Sequence, residues 1–161
     1  MEQMIKQLWK LWKDHDDAEG TNRTWCNYFV TTVCMEIGYY GFSSGHTDLS
    51  MVKWPLTANA IHRKLSNDIG NWTKVHTLHA AYLASMGNFV IAARSAKGHG
   101  HVAIITPGQQ VDKMPYSSKW SKAVPTCANI GGSNFWGKGV NWAFRTEPDY
   151  YLYHKDATHE E

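Results

Sequence analysis

Residues 20–38 read GTNRTWCNYFVTTVCMEIG, and this stretch organises the rest of the chain. Thr24 is a fitting N-cap, which puts Cys26 in the first turn of the helix that follows. Val30, Val33 and Ile37 lie four, seven and eleven positions beyond that cysteine, so a 3.6-residue period sets all four side chains on one face. The apolar face therefore ends, at its N-terminus, in a thiol. Unpaired N–H groups and the positive end of the helix dipole favour thiolate over thiol there. Cysteine also packs well as a small hydrophobe, so position alone does not separate a nucleophile from a core residue.

The flanking sequence gives the architecture. Met4, Ile5, Leu8, Leu11 and Trp12 mark an amphipathic helix that lids the core and ends before the acidic run 14–19. After the cysteine helix, 39–55 reads as a long loop. A helix following Thr57 carries Ala58, Ile61, Leu65 and Ile69 on one stripe, and 78–86 forms a short apolar helix closed by Gly87. Strands are expected at 89–94, 101–106, 124–130, 140–145 and 150–154, separated by KGHG, a long segment 107–123, and GGSNFWGKG. Helices first and strands afterwards is the α+β pattern. It predicts N-terminal helices packed on one face of a mostly antiparallel sheet of about five strands, in a single domain spanning 1–161.

Composition narrows the function. The 161 residues carry a formal net charge of +2, with 16 basic and 14 acidic side chains intermixed, so there is no concentrated basic face for nucleic acid. Three cysteines without framework spacing argue against a disulfide scaffold and for synthesis in a reducing compartment. Lys6, Lys10 and Lys13 interrupt the N-terminal apolar residues, so that segment does not read as a signal peptide. No run approaches the length of a membrane span, and membrane insertion is not expected.

Nine histidines raise the question of a metal. His76 and His79 form one close pair, His99 and His101 another, but neither has a clear third ligand, and no CxxC or HExxH occurs. No metal or other cofactor is expected. A metal-dependent hydrolase using His99 and His101 is the weakest of the alternatives. Glycine motifs that cradle phosphate are absent, as is a GxSxG elbow.

The informative combination is Cys26 with GHGHVAII, residues 98–105. His101 would open a core strand beside a flexible turn, where it could take the thiol proton and later protonate a leaving amine. A third polar group should orient the ring by accepting from its other nitrogen. Asn129, on the next strand, is the expected orienter, with Asn134, Asn141 and Asp112 as sequence-near alternatives and His99 as a competing base. The oxyanion would be held by the Cys26 backbone N–H and an upstream donor, for which Asn22 is the candidate. Trp54, Trp120 and Trp136 sit in or beside the long loops and could wall a substrate groove. Cys34 and Cys127 read as structural.

TWCNYFV followed by GHGHVAII resembles the NlpC/P60 superfamily of papain-like hydrolases, especially its CHAP branch of cysteine amidohydrolases and peptidases. The resemblance spans about 105 residues by motif order and spacing. In that family the nucleophile opens a helix, the base begins a core strand, and a polar third residue follows, which matches Cys26, His101 and Asn129 here. The resemblance implies cleavage of amide bonds in bacterial peptidoglycan, either between stem-peptide residues or at the sugar–peptide amide. The small format without a signal peptide is similar to phage lysis enzymes and injected antibacterial amidases. Such proteins reach the wall through lysis, virion or secretion machinery, and an immunity or inhibitor protein is the further partner this leaves room for. The alternative function is a non-catalytic phage structural module, or a wall- or partner-binding one, on the same fold.

Overall fold

A computed structural model describes residues 1–15, 25–43 and 55–154. Among the described residues four α-helices are formed: α1 (Glu2–Lys13), α2 (Cys26–Ile37), α3 (Ala58–Asn67) and α4 (Thr77–Ser85). The strands are β1 (Trp72–Val75), β2 (Val90–Arg94), β3 (His101–Ile105), β4 (Tyr116–Ser117), β5 (Lys122–Ala123), β6 (Thr126–Asn129), β7 (Phe135–Gly139) and β8 (Asp149–Tyr153). Six of them build one sheet in the order β1-β8-β2-β3-β6-β7, every neighbouring pair antiparallel, while β4 and β5 form a separate hairpin.

Helix α2 is the central packing element. Val30, Thr31, Thr32 and Val33 are β-branched and poor intrinsic helix formers, so tertiary burial has to stabilise the segment. That burial is extensive: every residue from Phe29 to Met35 is buried. Thr32 Oγ1 also donates to the Tyr28 carbonyl at 2.7 Å. Gly38 stops the helix at φ +103°, with Gly38 N–H bonded to the Met35 carbonyl and Tyr39 N–H to the Cys34 carbonyl, a Schellman closure. At the other end the N-cap position is Trp25, not the expected Thr24, which lies outside the described residues. Cys26 thus becomes the first residue of the helix.

Side-chain alternation along the strands divides the interior into two clusters. Helices α1, α2 and α3 cover one face, where Ile5, Phe29, Val30, Val33, Ile61 and Leu65 meet Ile91, Ala93, Val102, Ile104, Ala128 and Ile130. Helix α4 covers the opposite face with Ala80 and Ala84 against Val90, Ala92, Ala103, Ile105 and Cys127. Helices therefore lie on both faces rather than one.

Other departures have local causes. Segment 140–145 is not a strand: Val140–Trp142 is a 3₁₀ turn, with Ala143 and Phe144 N–H groups both bonded to the Val140 carbonyl. Its apolar spacing imitated a strand, yet Trp142 is 69% exposed. The neighbouring strand is β7, inside the glycine-rich segment expected to be a loop. Gly137 adopts φ +89° and a register shift between Cys127 and Ala128 lets β7 pair with β6. Strand β1 was unexpected and makes the sheet six-stranded. Ile69 is 80% exposed, outside the α3 stripe, because α3 ends at Asn67.

Candidate active site

One end of the sheet gathers the chemistry. The register pairs Arg94 with His101, Ala93 with Asp149, and Ile104 with Ala128, so β2 ends, β3 and β8 begin, and β6 ends at the same rim. His101, Asn129 and Asp149 all sit there.

His101 and Asn129 are joined directly. His101 Nε2 and Asn129 Oδ1 are 2.5 Å apart, and Asn129 Nδ2 donates to the Ser133 carbonyl at 2.8 Å. A carbonyl can only accept, so the Ser133 bond fixes which amide atom is nitrogen and turns Oδ1 toward the ring. Nε2 must then carry the proton, and Nδ1 holds the lone pair. That is the tautomer a general base requires. Trp9 Nε1 donates to the Asn129 carbonyl at 3.0 Å, tying α1 to the same residue. Asn134 holds the turn behind the pair: its Oδ1 accepts from Gly131 N–H at 3.0 Å, and its Nδ2 donates to the Lys13 carbonyl at 3.4 Å.

The ring is further boxed by Phe144, edge-on at 4.9 Å between centroids, and by Gly131, where an added Cβ would come within 3.0 Å of Cε1. Burial lowers the His101 pKa below the ordinary histidine value. The Asn129 hydrogen bond partly offsets this, and the charge of nearby His99 pushes it lower still. The imidazole is accordingly neutral at pH 7.

Cys26 occupies the first turn of α2 and is buried. The beginning of α2 lies at the same rim as His101. Trp25 and Tyr28 pack on Trp12 of α1 at 5.8 and 5.4 Å, and the last turn of α1 is tied to Asn129 and Asn134. Alternation along β3, however, sends Val102 and Ile104 into the cluster containing Cys26, and Ala103 and Ile105 into the other. His101 falls with the second set, and Phe144, against which its ring packs, belongs to that cluster. The rim thus brings His101 and Asn129 into contact, and sets the thiol at the same end on the α2 side of the strand.

The remaining sequence-derived residues are spread out. Asn22 and Trp54 lie outside the described residues. Trp136 packs on Trp9 at 5.9 Å beside the first cluster, under Lys6, whereas Trp120 packs against the second cluster, under Lys119. Asp112 is exposed in a 3₁₀ turn (Val111–Lys113), and Asn141 Oδ1 is buried without a hydrogen-bond partner. Cys34 and Cys127 are fully buried, and burial pushes both thiols up, away from thiolate. Among the described residues no three or more His, Cys, Asp or Glu side chains converge as a metal would need.

No protein-family model matches the chain. No curated protein matches it either. The site therefore stands on its own geometry, which includes two features the sequence did not announce. The first is an aromatic wall at the start of α2, in which His15, Trp12, Trp25 and Tyr28 contact one another with centroids 4.5–5.8 Å apart. The second is an open cleft of about 640 Å³ lined by His101, Gly131 and Phe144 together with Arg94, Lys97 and Arg145. Neither could be read from spacing, since both join segments distant in sequence.

Proposed function

We propose that the protein is a cysteine hydrolase of the CHAP-like NlpC/P60 type that cleaves amide bonds of bacterial peptidoglycan. Cys26 is the nucleophile, His101 the base and Asn129 the orienting residue. The observation that carries this reading is the His101–Asn129 hydrogen bond, which leaves Nδ1 as the basic nitrogen at the end of the domain where the Cys26 helix begins.

In the reaction, Cys26 Sγ attacks the amide carbonyl while its proton passes to His101 Nδ1. The tetrahedral oxyanion is held by the Cys26 backbone N–H, in the first turn of α2, with Asn22 as the further donor. Collapse breaks the C–N bond, and His101 gives its proton to the departing amine. Water, deprotonated by His101, then hydrolyses the thioester and restores the thiol. The aromatic side chains at the start of α2 suit the sugar and peptide groups of the wall. Delivery to the wall by lysis, virion or secretion machinery is part of this proposal; among the described residues no helix is long and apolar enough to cross a membrane.

The direct test is release of dye-labelled fragments from purified peptidoglycan by wild type and by Cys26→Ala. Release by the wild type and none by the folded variant is expected. Equal release by both would eliminate the cysteine mechanism.

A second reading is favoured by the β3 alternation, which sets the His101 ring with the cluster opposite Cys26. A non-catalytic phage structural, wall-binding or partner-binding module would keep the fold and the aromatic wall without turnover. Co-sedimentation with intact sacculi, with no fragment released, would support that module over the enzyme.

A further inference from the structure

A second nucleophile arrangement lies on the same rim, built from residues that the cysteine mechanism does not use. His62 projects from α3 between two partners. Its Nδ1 is 2.7 Å from Ser95 Oγ, and its Nε2 is 2.8 Å from Asp149 Oδ2. The three residues come from α3, from the turn after β2, and from the first residue of β8. Their meeting follows from the register that aligns the β2 and β8 ends.

Each link has the polarity that serine activation needs. Asp149 is a carboxylate and can only accept, so His62 Nε2 carries the proton and Nδ1 presents its lone pair to the Ser95 hydroxyl. Burial pushes the Asp149 carboxyl up, but hydrogen bonds from His62 and Lys74 outweigh it and hold the group below the ordinary carboxylate value. Lys74 Nζ sits 3.2 Å from the other Asp149 oxygen, and the Tyr151 ring packs against the imidazole at 6.1 Å. His62 and His101 therefore both use Nε2 for the orienting group and leave Nδ1 for a nucleophile.

Ser95 is exposed and lines the cleft described above. Arg94, Lys97 and Arg145 line it too, with His99 and His101, and among the described lining residues there is no carboxylate. Such a cleft favours a substrate that carries negative charge, and a carbonyl oxygen that gains it during attack.

We propose that Ser95, activated by His62 with Asp149 as the positioning carboxylate, is a second nucleophile that accepts acyl groups from anionic esters. Ser95 Oγ bonds to the acyl carbon while its proton moves to His62 Nδ1. The ester C–O bond then breaks and the alcohol leaves with that proton. Water, deprotonated by His62, cleaves the acyl-serine and regenerates the hydroxyl.

The test uses a fluorophosphonate probe on the full chain, in which the Ser95 Oγ–P bond forms and fluoride leaves. Mass spectrometry of the wild type should place the adduct on Ser95; an unlabelled Ser95 would overturn the proposal without any variant being needed. Labelling should persist in Cys26→Ala, which separates this site from the cysteine mechanism. In His62→Gln the labelling rate should fall by about 100-fold or more, the usual span of general-base catalysis, and an unchanged rate would overturn the relay. In Asp149→Asn the labelling rate should fall by about 10-fold, and Asp149→Glu, which keeps a carboxylate for His62 Nε2, should recover part of it. An unchanged rate in Asp149→Asn, or no recovery in Asp149→Glu, would overturn the positioning role. Among p-nitrophenyl esters, the hemisuccinate should be hydrolysed faster than the acetate, with the preference shrinking in salt. Equal rates would overturn the anionic class.

Discussion

The amide of Asn129 is held at both atoms, Oδ1 by the ring nitrogen of His101 and Nδ2 by the Ser133 carbonyl, and so it sets the tautomer of the histidine rather than merely touching it. Asn129 is itself buried, which makes the arrangement costly to disturb. Replacing His101 by Gln should lower turnover of peptidoglycan by about 10²–10⁴-fold, the range for loss of a general base. Asn129→Ala removes the hydrogen bond that orients the ring along with the one to the Ser133 carbonyl; the orienting bond is worth roughly 1 kcal/mol, so turnover should fall on the order of fivefold. Steady-state dye release by the two variants measures the ratio. A larger loss in Asn129→Ala than in His101→Gln would be inconsistent with the assigned roles.

The His101 imidazole should titrate below about 6.5, the ordinary histidine value, because burial lowers it and the Asn129 bond offsets only part of that effect. The sign of the stability effect follows. Between the lowered folded value and the unfolded one, the unfolded chain binds more protons, so stability is complete above about pH 6.5 and declines as pH falls toward the folded value. NMR titration of the ring and denaturant unfolding at several pH values check both statements. His101→Gln should remove this part of the acid sensitivity.

Gly131→Ala is a local probe of the same ring. The added Cβ would lie 3.0 Å from His101 Cε1, tight enough to displace the imidazole. Overpacking of this kind costs about 1–3 kcal/mol. Turnover should fall while circular dichroism is unchanged. Unaltered turnover would mean that the position of the ring does not govern the reaction.

Much of the rim was legible in the sequence, and the reasons are specific. GHGHVAII announced β3 because its β-branched run is bounded by glycine, and TWCNYFV announced α2 through its 3.6-residue period. Asn129 followed from strand order, since antiparallel neighbours bring the end of β6 to the beginning of β3. The Ser133 carbonyl that pins Asn129 carries no side-chain signal at all. His62, Ser95 and Asp149 lie on three separate elements and meet only through sheet register. Strand β7 was hidden by its glycines, and α4 was placed on the wrong face because Ala80, Ala81 and Ala84 show no polar side to orient it.

The three thiols should differ sharply. Cys34 and Cys127 are fully buried and their thiols are pushed up by burial, so iodoacetamide should leave them untouched in the native protein. Cys26, at the first turn of α2, should react first. Peptide mapping after timed alkylation reads the order, and equal modification of all three would argue against an activated Cys26.

Packing around Trp72 sets the stability of the far end of the sheet. Its ring meets Tyr39, Phe42, Phe89 and Tyr153, and it is 2% exposed. Trp72→Ala should therefore cost about 3–5 kcal/mol in urea unfolding. A loss below 1 kcal/mol would show that this aromatic cluster is not part of the core.

The cysteine mechanism is tested most directly by mass spectrometry of the fragments released from purified peptidoglycan by wild type and by Cys26→Ala. The expected result is a single class of new amide-derived ends from the wild type and none from the folded variant. The same new ends from Cys26→Ala, or no new ends from either protein, would contradict it.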